Sequence, residues 1–251
     1  MGRSREQLQS LIFHDQMTFL TQTAFAVGTY LCLPGFYPAP IVQSQEWYFR
    51  AGKLVANHYV MSYGMYWTHR ALHVNPFLWK HIHSIHHYAT HPLSRNTYQD
   101  HWLDNLGNAI MGQFLAQVLV PLDFETFCFS RFLRIMESLE KHSGLSCYLN
   151  IAHFLQRWLP FSQMPHHHDF HHEGHKGCNY TFAALGGIWD LVFGTRSVGR
   201  GKEHPHAATP EDLKSRQPVH REKHPVFDDQ YLVFLPLALT PVLVMIKCFW
   251  A

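Results

Sequence analysis

The stretch HSIHHYATHP, at residues 83–92, carries an H-x-x-H-H motif, and HDFHHEGHKGCNY, at 168–180, carries it again. An H-x-x-x-H pair at 69–73 precedes both. Residues three and four apart on a helix share a face, with Cβ atoms about 5–6 Å apart. Each motif is therefore expected to direct two or three imidazole rings at one point. The rings are those of His69, His73, His83, His86, His87, His168, His171 and His172.

Histidine is concentrated around these motifs. Of 22 histidines in 251 residues, sixteen lie within 69–101 and 142–175. Imidazole is the commonest metal ligand in proteins and suits iron, zinc, copper and nickel. The eight motif nitrogens exceed what one ion needs, and their number favours a site for two ions.

The ligand types indicate which metal is bound. Soluble di-iron bundles use Glu-x-x-His pairs, and the one such pair here, Glu203 to His206, encloses Pro205. A zinc hydrolase normally takes three protein ligands and a water. Two redox-capable irons are therefore the better inference, and such a pair could use dioxygen to attack an unactivated C–H bond. Acidic residues that could accept hydrogen bonds from the rings are Glu137, Glu140, Asp169, Glu173 and Asp190.

Composition favours a membrane setting. Charged residues make up 15% of the chain, against roughly 25% in soluble globular proteins. The net charge of +2 gives no reason to expect nucleic acid as a partner. The five scattered cysteines form no C-x-x-C pair, which fits a reducing, cytosol-facing compartment. The first residues are not expected to be a cleavable signal peptide.

Four uncharged stretches are candidate membrane segments: 17–33, 54–68, 105–122 and 231–246. We expect two or three of them to enter the bilayer; buried helices of a soluble core are the alternative. The predicted fold is all-α, an integral-membrane helical bundle with a cytosolic histidine-rich helical cap that holds a dimetal site. Three regions are expected: an N-terminal arm and membrane hairpin (1–68), a histidine module including membrane segment 105–135 (69–195), and a basic polar loop with an apolar C-terminal segment (196–251). The basic loop predicts a cytosolic side by the positive-inside rule.

The three motifs in this order resemble the fatty acid hydroxylase/sterol desaturase superfamily of membrane di-iron oxygenases. HSIHHYATHP is similar to the second histidine box of that superfamily. HDFHHEGHKGCNY, followed by WDLVFGT at 189–195, is similar to the third. LRIMESLEKHSG, at 133–144, is similar to the stretch of sterol C4-methyl oxidases that carries an extra histidine, here His142. The resemblance covers roughly residues 60–195.

This resemblance implies a set of metal ligands, namely His69, His73, His83, His86, His87, His142, His168, His171 and His172. It implies two iron ions, with electrons from NAD(P)H delivered by cytochrome b5 or a reductase. The chain itself has no G-x-G-x-x-G fingerprint for a dinucleotide. Residues that could bind metal or lie behind its ligands are His101, His175, Asp169, Asn179 and Asp190. No further catalytic or cofactor-binding residue is predicted, and His166 and His167 are expected at the surface or behind the ligands.

The expected function is that of a multi-pass endoplasmic-reticulum oxygenase with its histidine motifs facing the cytosol. It would hydroxylate or oxidise a C–H bond of a lipid, with a 4-methylsterol as the first choice of substrate. A sphingoid-base or fatty-acyl hydroxylase or desaturase is the alternative. A different class, a non-catalytic histidine-rich membrane protein that binds or moves zinc, predicts ligands along a path through the membrane. The expected partners are the bilayer, the lipid substrate and the cytochrome b5 or reductase donor, which the basic loop could dock.

Overall fold

The computed structural model describes residues 5–33, 35–38, 47–89, 92–143, 150–172 and 178–196. Within these ranges the chain is helical and has no strands, which confirms the all-α part of the predicted fold class. The α-helices are α1 (Arg5–Cys32), α2 (Trp47–Val74), α3 (Pro76–His81), α4 (Trp102–Asn105), α5 (Gly112–Leu119), α6 (Phe124–Lys141), α7 (Ile151–Gln156), α8 (Pro165–His172) and α9 (Gly187–Val192). Two 3₁₀ segments cover His83–Tyr88 and Ser94–Asn96.

A π-helical turn, Leu106–Met111, joins α4 to α5 into one continuous helical stretch. This stretch packs along α2, which is the central helix of the described structure. Of the predicted region 196–251, everything after Arg196 lies outside the described residues, as does His175.

Two glycines set the close approach of α2 and α5. A Cβ placed on Gly64 would lie 2.8 Å from the Cα of Gly112, and one on Gly112 would lie 2.8 Å from Cγ of Met65. Side chains at either position would force the helices apart, because packed interiors leave no such space. The crossing buries Met61 and Met65 and so fixes the middle of α2 in place.

The C-terminal part of α2 packs against the segment 178–196. Tyr66, Trp67 and Ala71 of α2 form a buried cluster with Tyr180. The ring of Phe193 stacks on Tyr66 with centroids 5.1 Å apart. The last two turns of α2, which carry the H-x-x-x-H pair, are therefore embedded in the protein rather than frayed.

Helix caps turn the chain towards the end of α2. Oδ1 of Asn75 accepts from the backbone N–H groups of Phe77 and Leu78, and Pro76 occupies the first turn of α3, where a missing N–H costs nothing. Asp123 caps α6 by accepting from the N–H of Thr126. The short α3 thus returns the following 3₁₀ segment to the histidines of α2.

Among the described residues, no helix is both long enough and apolar enough to cross a membrane.

Candidate metal centre

The structure brings nine histidines together in two adjacent groups. Site A contains His69, His73, His83, His87 and His171; site B contains His86, His142, His168 and His172. Within each site, one nitrogen per ring lies within 4.8 Å of every other. All nine residues that the sequence assigned as ligands are in these two sites, while metal binding itself stays a prediction.

The spacing predicted that each H-x-x-H-H motif directs its rings at one point, but in the structure the rings of each motif are divided between the two sites. In the 3₁₀ segment, His83 and His87 belong to site A and His86 to site B. In α8, His168 and His172 belong to site B, whereas His171 belongs to site A. Each motif therefore spans both sites, which couples their geometry.

Site A is built where the end of α2 meets the 3₁₀ segment. The Nε2 atoms of His69 and His83 lie 3.0 Å apart, those of His73 and His83 lie 2.9 Å apart, and those of His83 and His87 lie 3.1 Å apart. His171 reaches the site from α8, with its ring centroid 4.6 Å from that of His73. The indole of Trp79 covers the outer side, 5.1 Å from the ring of His73.

Site B lies between the 3₁₀ segment, the end of α6 and α8. Nε2 of His142, the C-cap residue of α6, is 3.1 Å from Nε2 of His168 and 3.4 Å from Nε2 of His86. Nε2 of His172 is 3.0 Å from Nε2 of His168. The sites adjoin, because the rings of His87 and His172 stack with centroids 4.5 Å apart.

The tautomers of these rings fit a bound cation. Nδ1 of His69 lies 2.5 Å from the carbonyl oxygen of Tyr180, and Nδ1 of His83 lies 2.5 Å from a carboxylate oxygen of Asp104. These oxygens only accept, so the proton sits on Nδ1 and each Nε2 presents a lone pair. Two such lone pairs facing each other at 3.0 Å repel, unless a cation lies between them.

The distances between the Nε2 atoms also fit a bound metal ion. Two nitrogens bound at about 2.0–2.1 Å, at right to tetrahedral angles, are separated by roughly 2.9–3.4 Å. The Nε2 atoms of neighbouring rings described above are 2.9 to 3.4 Å apart. The donor set therefore suits a divalent transition metal at each site, and imidazole accommodates iron.

Burial keeps the rings neutral. Burial first, and neighbouring histidines second, lower the pKa of His86 to about 4 and that of His142 to about 3. The same causes lower the pKa values of other rings well below the ordinary value: His69, His73, His87, His168 and His172. Near neutral pH these rings are uncharged, which is the form that binds a metal.

Most acceptors behind the ligands are not the acids expected from the sequence. Backbone carbonyls of Tyr180, Cys178 and Ser138 accept from Nδ1 of His69, His171 and His142, respectively. Asp104, which the sequence reasoning missed, accepts from His83 and from the amide of Asn108. Its position, 21 residues beyond His83 in another helix, gives no spacing signal.

Asp190 and Asn179, which were expected to bind metal or lie behind its ligands, form hydrogen bonds with backbone groups instead of with the rings. Asp190 accepts from the N–H groups of Tyr180 and Thr181 and from the hydroxyl of Thr195. Asn179 adopts a positive φ of 51°, and its amide donates to the carbonyl of His167. These two residues hold the turn whose carbonyls orient His69 and His171, and neither belongs to a site.

Three further candidate residues lie outside the two sites. His101 caps α4 by accepting from the N–H of Leu103, and its ring packs 4.4 Å from that of His14, so it belongs to neither site. Asp169 is also in neither. Of the two positions expected for His167, the structure excludes the surface, because this residue is buried with Nδ1 beside the carbonyl of Met164.

Two further predicted acceptors, Glu137 and Glu140, lie behind the sites in a buried polar network, and Glu173 lies outside the described residues. Glu137 pairs with Arg134 at 3.0 Å, and Glu140 pairs with His153 at 2.7 Å. Glu140 also accepts from the backbone N–H groups of Ala152 and His153, so it fastens α7 to α6. These acids position helices rather than rings of the metal sites.

One cavity of about 70 Å³ adjoins both sites. Rings of both sites line one side of it: His69, His83, His86, His142 and His168. The other lining residues include Tyr98, Asp100, Asp104, Arg131 and Arg134. A small molecule in this cavity would therefore touch the two sites and a charged wall at once.

Comparison with known proteins identifies the family. The fatty acid hydroxylase family matches residues 54–195, which contain both sites. This match confirms the resemblance drawn from the histidine motifs. No solved structure matches the chain.

Curated relatives carry several enzyme names. The chain is 32% identical over 147 residues to a very-long-chain aldehyde decarbonylase of Oryza sativa subsp. japonica, covering 58% of this chain and 46% of that protein. It is 27% identical over 191 residues to methylsterol monooxygenase 1 of Rattus norvegicus, covering 75% and 60%. It is 31% identical over 138 residues to sphinganine C4-monooxygenase 2 of Arabidopsis thaliana, covering 52% and 48%. The chain thus spans about half the length of the curated relatives it matches, and their names agree with the predicted oxidoreductase class.

Proposed function

The chain belongs to the fatty acid hydroxylase family, and on that basis we propose that it is an O₂-dependent oxidoreductase that oxidises a C–H bond of a lipid. The observation that carries the proposal is the pair of adjoining sites built from nine imidazoles. One iron ion would bind at each site. The two irons would supply the activation of dioxygen and the oxidising power needed to break the C–H bond.

The residues around the sites would keep the ligands in place during this chemistry. Asp104 and the carbonyl of Tyr180 hold His83 and His69 with Nε2 towards site A. The ring of Phe182 packs edge-on to His69 at 5.2 Å and lies 5.9 Å from His168. This aromatic wall would exclude water from the face of the sites that adjoins the cavity.

The substrate is proposed to be a 4-methylsterol. The support is the similarity of residues 133–144 to sterol C4-methyl oxidases, together with the match to the rat methylsterol monooxygenase over 75% of this chain. A sphingoid base or a fatty acyl chain is the second candidate, favoured by the match to the Arabidopsis sphinganine enzyme. The product, hydroxylated or desaturated, depends on how the substrate is positioned after the first hydrogen is removed.

A membrane setting, in the endoplasmic reticulum, is part of the proposal. Large apolar side chains stand exposed on several described helices; Phe19 and Leu31 of α1 are 69% and 70% exposed, and Trp158, after α7, is 77% exposed. Exposed apolar surface of this kind marks contact with a membrane or a partner. Electrons would come from NAD(P)H through cytochrome b5 or a reductase.

The compact arrangement of ligands argues against a zinc transporter. A transport path would distribute ligands along the membrane normal, whereas here nine rings converge on two neighbouring points. Buried neutral rings with fixed tautomers also suit tight binding rather than release. The oxygenase is therefore the better reading of the site.

The test is expression of the chain in yeast that lacks its own sterol C4-methyl oxidase, with sterols measured by mass spectrometry. The wild type should remove the accumulated 4,4-dimethylsterols, and His168→Ala, which removes a ligand of site B, should not. His166→Ala, a neighbouring change outside both sites, is the matched control. An unchanged profile with two bound irons would exclude the sterol and favour the sphingoid or acyl substrate.

A further inference from the structure

Two carboxyl groups, those of Asp100 and Asp104, lie in the described wall of the cavity beside the metal sites. Asp104 uses both of its oxygens, since Oδ2 accepts from His83 and Oδ1 accepts from the amide of Asn108. Asp100, in the loop before α4, is only 7% exposed. Its Oδ1 is buried and has no hydrogen-bond partner among the residues that the structure describes. This oxygen is therefore available to a molecule in the cavity.

The surroundings of Asp100 favour its protonated form. Burial first, and then the charge of Asp104, raise the pKa of Asp100 well above its ordinary value, although the side chain of Asn105 bonds to it. Burial has this effect because it penalises the charged form of a carboxyl. At neutral pH Asp100 is thus a carboxylic acid with an O–H that can donate.

The groups around Asp100 are poorer sources of a proton. The other titratable or charged side chains in this region are those of His14, Asp15, Tyr98, His101, Arg131 and Arg134. Burial lowers the pKa of His14 and that of His101, so both rings are neutral at pH 7. Burial raises the pKa of Tyr98, so its phenol holds the proton more firmly. A guanidinium does not give up a proton in a protein.

The proposed oxidation consumes protons. Conversion of a C–H bond to C–OH by O₂ takes up two electrons and two protons. The O–O bond breaks, one oxygen enters the product, and the other leaves as water. The electrons come from the proposed external donor, but the protons must reach the oxygen inside the protein. A buried acid with a pKa closer to neutral is the kind of group that donates them.

We propose that Asp100 is the proton donor of this reaction, and that its carboxyl gives a proton from Oδ1 to the oxygen atom that leaves as water. The inference rests on the proposed function, and it adds a residue that acts on dioxygen rather than on the lipid. The carboxylate left behind would be reprotonated from solvent. Asp15, an exposed residue of α1 whose charge also raises the pKa of Asp100, would lie on that route.

The first experiment detects the proton on Asp100 without turnover. Infrared difference spectra compare the purified full-length wild type with Asp100→Asn at pH 7 under anaerobic conditions. A protonated carboxyl has a C=O stretching band that a carboxylate lacks, and part of this band should disappear in Asp100→Asn. Asp123→Asn removes a buried carboxyl outside the cavity and serves as the matched control. An Asp100→Asn spectrum that keeps the whole band overturns the inference, because the donor would then have no proton to give.

The second experiment follows the oxidation of the iron(II)-loaded chain by dissolved O₂ in a stopped-flow instrument, without any lipid. Asp100→Asn should slow this reaction by about 100-fold or more, the loss typical of a missing general acid. Asp100→Glu keeps the acid and should restore part of the rate, and Asp123→Asn should react like the wild type. Formate should accelerate the variant Asp100→Gly in proportion to its concentration, because the cavity of about 70 Å³ admits a small acid. A merely structural role for Asp100 would give no such rescue.

An Asp100→Asn chain that reacts with O₂ as fast as the wild type overturns the inference. A wild type that binds no iron contradicts the proposed function instead. The infrared spectra distinguish the two failures, because they report the proton on Asp100 whether or not metal is bound.

Discussion

Replacement of Asp104 by asparagine should weaken metal binding at site A more than at site B. The carboxylate accepts from Nδ1 of His83 at 2.5 Å. It thereby fixes the tautomer that leaves Nε2 free for a metal. Asp104 makes no hydrogen bond to a residue of site B, and the amide of Asn108 is its other side-chain partner; its charge acts on His86 of site B only through space, so site B should weaken less than site A.

The size of the effect follows from the kind of hydrogen bond that is lost. Asparagine has nearly the shape of aspartate and can still accept, but the bond loses its charge, and charge-assisted bonds are about twice as strong as neutral ones. Loss of such a partner behind a ligand typically costs 10–100-fold in metal affinity, or about 1.4–2.8 kcal/mol. We expect the fall for Asp104→Asn to lie in that range.

The assay is titration of metal-free chain with Fe(II) or Co(II) under anaerobic conditions, with affinities fitted for the two sites. Asp123→Asn is the matched control, because Asp123 is a buried carboxylate that caps α6, and asparagine caps helices equally well. The control should bind both ions like the wild type. Equal weakening of both sites by Asp104→Asn, or no weakening at all, would refute the link between this carboxylate and site A.

Three further predictions concern the rings and the packing. Burial lowers the pKa of His86 to about 4, below the 6.5 of a free ring, so the unfolded chain takes up the proton first. For the metal-free chain, this ring leaves the free energy of unfolding unchanged above pH 6.5 and lowers it by about 1.4 kcal/mol per pH unit as pH falls from 6.5 towards 4. The other buried rings with lowered pKa values act in the same direction, so urea unfolding at pH 7, 6 and 5 should show a fall at least this steep. Gly112→Ala places a methyl 2.8 Å from Met65 and should cost about 1–3 kcal/mol, whereas Gly28→Ala, with nothing within 4 Å, should leave Tm unchanged or higher. His101→Ala should leave the metal content unchanged, since this ring caps α4; loss of metal would place it back among the ligands.

The nine histidines that form the two sites could be named from the sequence, because motif spacing and the chemistry of imidazole are local properties. His69 and His73 share a face of one helix, as their four-residue spacing predicted. The division of each H-x-x-H-H motif between two sites could not be predicted from spacing. It depends on the 3₁₀ geometry of His83–Tyr88 and on the position of α8, both of which are set by tertiary packing.

The supporting residues were harder to predict for the same reason. Asp104 lies in another helix and becomes a partner of His83 only through the fold. Asn179 and Asp190 belong to the motif that follows the third histidine group in sequence, but their role is to shape a turn whose backbone carbonyls accept from His69 and His171. A carbonyl has no side-chain signature, so the sequence gives no sign of which one accepts from a ring.

The most direct test of the two-site account is the metal content of the purified chain, by mass spectrometry of metals against quantitative amino-acid analysis. The wild type should hold about two irons per chain, one for each group of histidines. His142→Ala removes one of the four ligands of site B and should reduce the content to about one, with site A retained. A wild-type chain that binds a single ion, or that binds two ions and keeps both after His142→Ala, would contradict the assignment of one metal to each site.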